Sequence, residues 1–162
     1  MERVESFKYL GVQISDDLSW STHVDIVVKK ARQRLYHLRR LRKFRSSQAV
    51  LRSFYSSTIE SLLTWNITAW YGNTTEQEKA ALQRVVRSAE RTLGGQLPSL
   101  DTIYTQRCKA KTDRILKDPS HPGHRLFCLL RSGRRYRSLE AKGGRLWNSF
   151  FHRAMRYLNG TE

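Results

Sequence analysis

His23-Val24-Asp25 spells His-x-Asp, two of the three ligands that a non-haem iron centre needs. The pair stands at the start of an expected amphipathic helix, not on a sheet strand where a distant third ligand could join it. Asp16-Asp17 is the only adjacent acidic pair. Paired aspartates hold the two metal ions of nucleotidyl transfer. This pair follows a strand-like run, lacks a preceding aromatic residue and reads as a turn. Cys108, His121, His124 and Cys128 have the ligand types of a zinc site, spaced C-x12-H-x2-H-x3-C. Known spacings begin with a close pair, whereas Cys108 stands alone and Pro122 stiffens the gap between the histidines. A buried thiol and two surface imidazoles are the expectation there. Serines lie near His23 and His37, but no nucleophile elbow, triad order or oxyanion loop can be read. The chain is expected to hold no catalytic residue, metal or cofactor of its own.

Binding chemistry is better represented. Lys29, Lys30, Arg32, Arg34, Arg39, Arg40, Arg42, Lys43 and Arg45 form a run with no acidic residue among them. Charges on a helix surface usually alternate in sign, because opposite charges four residues apart attract and like charges repel. An unrelieved basic face is costly unless an anion lies against it. The chain as a whole has 30 Lys and Arg against 14 Asp and Glu, a net charge of +16. A polyanion relieves such self-repulsion, and nucleic acid is the expected one, because Lys and Arg release condensed counterions from phosphates. A second basic stretch, Arg131, Arg134, Arg135 and Arg137 around Tyr136, offers cations for a backbone and a ring for a base.

These groups must be positioned by mostly helical elements. Residues 7–14 are aromatic and β-branched and predict a strand, with Gly11 marking a bend. A strand so short needs a partner, and the remaining sequence offers one weak candidate, as if the chain were cut from a longer one. Ser21 or Thr22 is expected to cap a helix whose stripe is Val24, Val28, Ala31, Leu35 and Leu38. Arg42 falls at the angle of that stripe, so the helix is expected to end just before it. A second helix from Ser46-Ser47 carries Val50, Leu51, Phe54, Ile59, Leu62 and Leu63, with an uncertain end between Thr64 and Trp70. Thr75 and Glu78 make a capping box for a third helix, closed by Gly94-Gly95. A fourth runs from Ser99 to before Pro119. A turn cluster, the apolar patch Leu126, Phe127, Leu129 and Leu130, the basic loop and a short helix with Phe150, Phe151, Met155 and Leu158 follow. The expected fold is mainly α: a short N-terminal strand or hairpin (residues 1–20), a thumb-like helical bundle (21–118) and a basic, partly irregular tail (119–162).

Several stretches, in this order, resemble the C-terminal end of the reverse transcriptases of non-LTR, LINE-type retrotransposons, of the kind abundant in fish genomes. They are Phe7-Lys8-Tyr9-Leu10-Gly11-Val12, Leu18-x-Trp20 with His23, Ala69-Trp70-Tyr71-Gly72-Asn73, Leu82-Gln83-Arg84-Val85-Val86-Arg87, Asp118-Pro119-Ser120-His121-Pro122 and Ser132-Gly133-Arg134-Arg135-Tyr136-Arg137-Ser138. The resemblance implies that Phe7, Tyr9, Leu10 and Gly11 belong to a primer-grip-like segment. It implies that the following helices form a thumb that cradles RNA–DNA duplex or structured RNA. It also implies that the upstream palm and fingers of the parent polymerase are partners. The family's catalytic Tyr-x-Asp-Asp motif does not occur in this chain. The family pattern has small residues near positions 65 and 66, where this chain has Trp65 and Asn66.

Residues from about Phe7 to Leu41 also resemble a small domain named for the N-terminal region of the eighth AlkB homologue, a tRNA-modifying enzyme. That enzyme's oxygenase and methyltransferase chemistry needs a facial triad and a glycine-rich loop after a strand, and neither can be read here. A helical protein–protein adaptor is a third reading. No apolar run approaches a membrane span. Met1 to Ser6 are polar and unlike a secretory signal, so the expectation is an intracellular protein of nucleus or cytoplasm, with silent sequons at Asn66, Asn73 and Asn159.

Overall fold

Residues 7–14 fold back on themselves instead of running as one strand. In the computed structural model, which describes residues 4–138 and 140–160, β1 (Ser6–Tyr9) pairs antiparallel with β2 (Val12–Ser15). The register sets Phe7 opposite Ile14 and Tyr9 opposite Val12. Leu10 at φ 46° and Gly11 at φ 85° make the turn. Two left-handed residues in a row give a two-residue hairpin whose twist suits the strands it joins. The partner that the sequence seemed to lack is therefore the segment's own second half. Trp65 holds the turn, its indole Nε1 donating to the Leu10 carbonyl at 2.8 Å. A Cβ on Gly11 would lie 2.8 Å from that nitrogen, so the close approach as well as the dihedral requires glycine. The indole is half-exposed and clamps the hairpin; Asn66 beside it takes a left-handed turn at φ 49°.

Helix α1 (Ser21–Lys43) follows. Its N-cap is Trp20, with no side-chain cap. Ser21 lies inside the helix, and its hydroxyl donates to Glu78 Oε1 at 2.6 Å. Val24, Val28, Ala31, Leu35 and Leu38 are buried as their spacing requires, joined by His23 and Val27. The helix runs past Arg42. It closes with Arg45 in the left-handed conformation at φ 55°, Arg45 N–H bonded to Arg42 O and Ser46 N–H to Leu41 O. Those bonds are the Schellman closure, with Arg in the place usually held by Gly.

Ser47 caps α2 (Gln48–Phe54), which widens into a π segment (Tyr55–Glu60) and returns to α3 (Ser61–Thr64). Leu51, Tyr55, Ile59 and Leu63 are buried at a constant spacing of four. Each such step overshoots a full α turn by about 40° at 3.6 residues per turn. The wider i→i+5 turn absorbs the overshoot and keeps one face inward. Val50, expected on that face, is exposed. A short α4 (Ile67–Trp70) buries Trp70 completely.

In α5 (Glu76–Leu93) both hydrogen bonds of the capping box between Thr75 and Glu78 are present, and Gly94 ends the helix at φ 71°. Leu82, Val85, Val86, Ala89 and Leu93 are buried, and α1 packs more extensively on α5 than on any other helix among the described residues. Helix α6 (Leu100–Lys117) starts after Ser99, whose hydroxyl accepts from Thr102 N–H at 3.1 Å. The chain divides into two compact units, Met1–Ile103 and Tyr104–Glu162.

In the second unit the rest of α6 packs with α8 (Phe150–Leu158), and α7 (Gly144–Trp147) packs on α8. Arg153 lies over the Tyr104 ring, Lys109 over Tyr157 and Lys111 over Phe150, at 4.5–4.6 Å. These pairs tie α8 to the C-terminal part of α6, which explains why the division falls within α6. Phe127 is buried, whereas Leu126, Leu129 and Leu130 of the expected apolar patch are exposed. The fold is mainly α with a short N-terminal hairpin, and no described helix is long and apolar enough to cross a membrane.

Candidate nucleic-acid interface

The basic run of α1 separates into two populations. Arg34 and Arg42 are engaged within the fold. Arg34 lies at one edge of the buried stripe and donates to the Thr58 carbonyl in the π segment. Arg42, on the stripe itself, donates to the Thr92 carbonyl and, at 3.5 Å, to that of Arg91. The last carbonyls of a helix lack intrahelical donors and carry partial negative charge, so Arg42 acts as a cap for α5. In each, Nη1 is held by a backbone carbonyl of a neighbouring element. Lys29, Lys30, Arg32, Arg39, Arg40, Lys43 and Arg45 are exposed. Among the described residues, none of these seven forms an ion pair with a carboxylate.

Part of this set meets cations from a second helix. A groove between α1 and α5 is lined by Arg32 and Arg39 on one side and by Arg84, Ser88 and Arg91 on the other. Arg39 Nη2 donates to Ser88 Oγ at 2.7 Å, which fixes that guanidinium along the groove. Among the described residues no carboxylate lines this stretch; Asp25 enters only at the α1 N-terminal end, beside Lys29 and Arg32. Arg42 lines the same channel with its Nη1 on the α5 carbonyls, and the guanidiniums of Arg32, Arg39, Arg84 and Arg91 face the open channel beside it, whose walls are two packed helices. Such a channel suits a phosphate chain, because planar forked donors match phosphate oxygens. Sequence reading missed Arg84 and Arg91. Their signal was a spacing of seven beside the buried stripe, masked by Glu76, Glu78 and Glu90 on the same helix.

The hairpin presents Phe7, Tyr9 and Leu10 as exposed side chains, and Val12 is its buried anchor. Its link to α1 is His23, whose Nδ1 accepts from Gln13 N–H at 3.2 Å. The imidazole lies edge-on to Trp20 and Trp70, at 6.2 and 5.0 Å between centroids. Burial, and then the charge of Lys30, hold its pKa below the usual histidine value. A neutral, buried ring that accepts through Nδ1 and packs between indoles is an anchor. Asp25, two residues on, is exposed, and the His-x-Asp spelling gathers no third ligand. Asp17 Oδ1 accepts from Ser19 N–H at 2.8 Å, a turn contact as expected of the acidic pair.

In the second unit, residues 128–137 form a turned-back loop: Leu130 N–H bonds to Arg135 O, and Arg137 N–H to Cys128 O. Arg131, Arg134, Arg135 and Arg137 are exposed on it. Tyr136 is half-buried. It packs edge-on against Phe127 at 6.4 Å, and the Asn159 side chain clamps its backbone N–H and carbonyl. The loop offers exposed cations beside this half-buried ring. The candidate zinc ligands do not assemble. Cys108 is buried on α6, Cys128 is exposed, and His121 Nδ1 accepts from Gly123 N–H at 3.0 Å. Among the described residues no three His, Cys, Asp or Glu side chains gather as metal ligands.

Fold and site together define a helical protein with a cation-lined groove. The family model described as "Alkylated DNA repair protein alkB homolog 8, N-terminal" matches residues 20–61, which span α1, α2 and the π segment. No curated protein and no solved structure matches the chain.

Proposed function

We propose that this chain is a non-catalytic nucleic-acid-binding module that grips a phosphate backbone in the groove between α1 and α5. The convergence of Arg32, Arg39, Arg84 and Arg91 on a channel without carboxylates carries this reading. Four like charges so placed repel one another, and a phosphate chain is the natural counter-charge. Backbone contacts position a protein on nucleic acid without reading its sequence, so little base specificity is expected from the groove. The resemblance to the end of LINE-type reverse transcriptases gives the module a parent, an RNA-directed DNA polymerase whose template–primer it would cradle. Fluorescence anisotropy with an RNA–DNA hybrid, from low to physiological salt, tests the binding. Affinity should fall steeply, with a log–log slope of about −0.9 per phosphate engaged. A salt-independent affinity, or no binding at low ionic strength, refutes it and favours a protein–protein adaptor.

A second parentage has the family match over residues 20–61 in its favour. The domain would then be an accessory to a protein of the alkB homolog 8 kind, whose printed description names DNA repair. That reading also makes the module a nucleic-acid binder, and it places the oxygenase or methyltransferase chemistry elsewhere in the protein. Sequencing the reading frame upstream of Met1 separates the two. An in-frame palm with Tyr-x-Asp-Asp supports the polymerase, and its replacement by other coding sequence overturns that parentage.

A further inference from the structure

The outward face of α1 carries a feature that backbone binding does not use. Tyr36, Arg40 and Phe44 follow one another at four-residue spacing, so they stack along one side of the helix. That side lies opposite the buried stripe of Val24, Ala31 and Leu38. Arg40 Cζ lies 5.9 Å from the Tyr36 ring centroid and 5.5 Å from that of Phe44. Arg40 Nη1 also donates to the Tyr36 hydroxyl at 3.1 Å. The guanidinium is thus held between two rings. Both rings face solvent, at 54% and 69% exposure. An aromatic ring on a soluble surface gains nothing by exposure, and here two are kept in place by a cation that bridges them.

We propose that Tyr36, Arg40 and Phe44 form a base-stacking platform for single-stranded nucleic acid. The proposal deepens the reading of the groove as a backbone site and rests on it. Charge complementarity selects the occupant. The platform is flanked by Lys29 and Lys43, and no acid stands between Lys29 and Arg45. An apolar partner helix would have to bury those cations without compensation. A single strand supplies what this face asks for, flat bases for the rings and the guanidinium plane, and phosphates for the lysines. A duplex buries its bases in its own stack and can offer only phosphates. The module would therefore hold duplex or strand backbone in the groove and unpaired bases on the outer face of the same helix.

The test uses the whole chain and three probes of equal length: a single-stranded oligothymidylate, the corresponding abasic strand and a duplex. Tyr36→Ala and Phe44→Ala are compared with the unmodified protein and with Tyr36→Phe, which keeps the ring. Each ring removed should weaken oligothymidylate binding about fivefold or more. Abasic and duplex affinities should stay unchanged, and Tyr36→Phe should bind like the parent. Equal weakening on the abasic strand, or no weakening on oligothymidylate, overturns the platform and leaves the groove standing. Failure of every probe to bind at low salt overturns the groove and the platform together.

Discussion

Replacing Arg84 and Arg91 by Gln isolates the groove from the general basicity of the chain. Both side chains are exposed, so the double variant should fold, with stability changed by only about 0.5 kcal/mol per site. With four guanidiniums on phosphate, the log–log salt slope from the groove is about −3.6, and affinity falls about 150-fold between 50 and 200 mM salt. With two removed, the slope is about −1.8 and the same interval costs about 12-fold. Anisotropy with an RNA–DNA hybrid at several salt concentrations reads the slope directly, and circular dichroism melting confirms the fold. Arg87→Gln is the control: it removes the same charge from the same helix, outside the groove lining. The reasoning fails if the folded double variant keeps the parental slope. It fails also if Arg87→Gln lowers the slope as much per charge, since net charge and not the groove would then be responsible.

Arg45→Gly should raise stability and, because Arg45 does not line the groove, leave the salt slope of duplex binding unchanged. Left-handed backbone costs a non-glycine residue about 1–2 kcal/mol, partly offset by glycine's larger chain entropy, so a net gain of about 0.5–1 kcal/mol is expected in urea unfolding. Arg42→Met should destabilise by about 1 kcal/mol through loss of the α5 cap, read in urea unfolding. His23 should make the hairpin's attachment pH-dependent. Its folded pKa is lowered, so its stabilisation is full above the unfolded value of about 6.5 and is lost as pH falls through the lower folded value. Unfolding midpoints measured from about pH 7.5 to about pH 5 should decline in the parent and decline less in His23→Gln.

The features legible in the sequence were those settled within a few residues. Thr75 and Glu78 satisfy each other's backbone donors, Gly94 takes the left-handed closure, and the α1 stripe follows from helical period alone. The hairpin was legible only as an alternative to a single strand, because Leu10-Gly11 is not the Asn-Gly or Asp-Gly pair that usually marks such a turn; the Trp65 indole, 55 residues away, helps to hold it. The π segment escaped because a spacing of four reads equally well as an ordinary helix over one or two turns. The partners of site residues were hidden wherever they lie far along the chain. Arg42 finds its carbonyl 50 residues away, and Tyr136 is clamped by Asn159, 23 residues on. Arg84 and Arg91 belong to a site only because α5 packs on α1, which neither helix discloses alone.

The two engaged arginines explain why the free ones point where they do. Arg34 and Arg42 both reach backbone carbonyls of neighbouring elements, Thr58 in the π segment and Thr92 in α5. Each is a cation drawn to a backbone carbonyl, and together they help to fix the roll of α1 about its own axis. The apolar stripe alone would fix that roll less well, because neighbouring aliphatic side chains can exchange places at modest cost. Once the roll is set, Arg32 and Arg39 must line the α5 side, and Tyr36, Arg40 and Phe44 must face solvent. The basic run is therefore one charge pattern with two tasks. Cations that meet carbonyls orient the helix, and the orientation leaves the remainder without a carboxylate partner among the described residues, the arrangement on which the proposed phosphate binding rests.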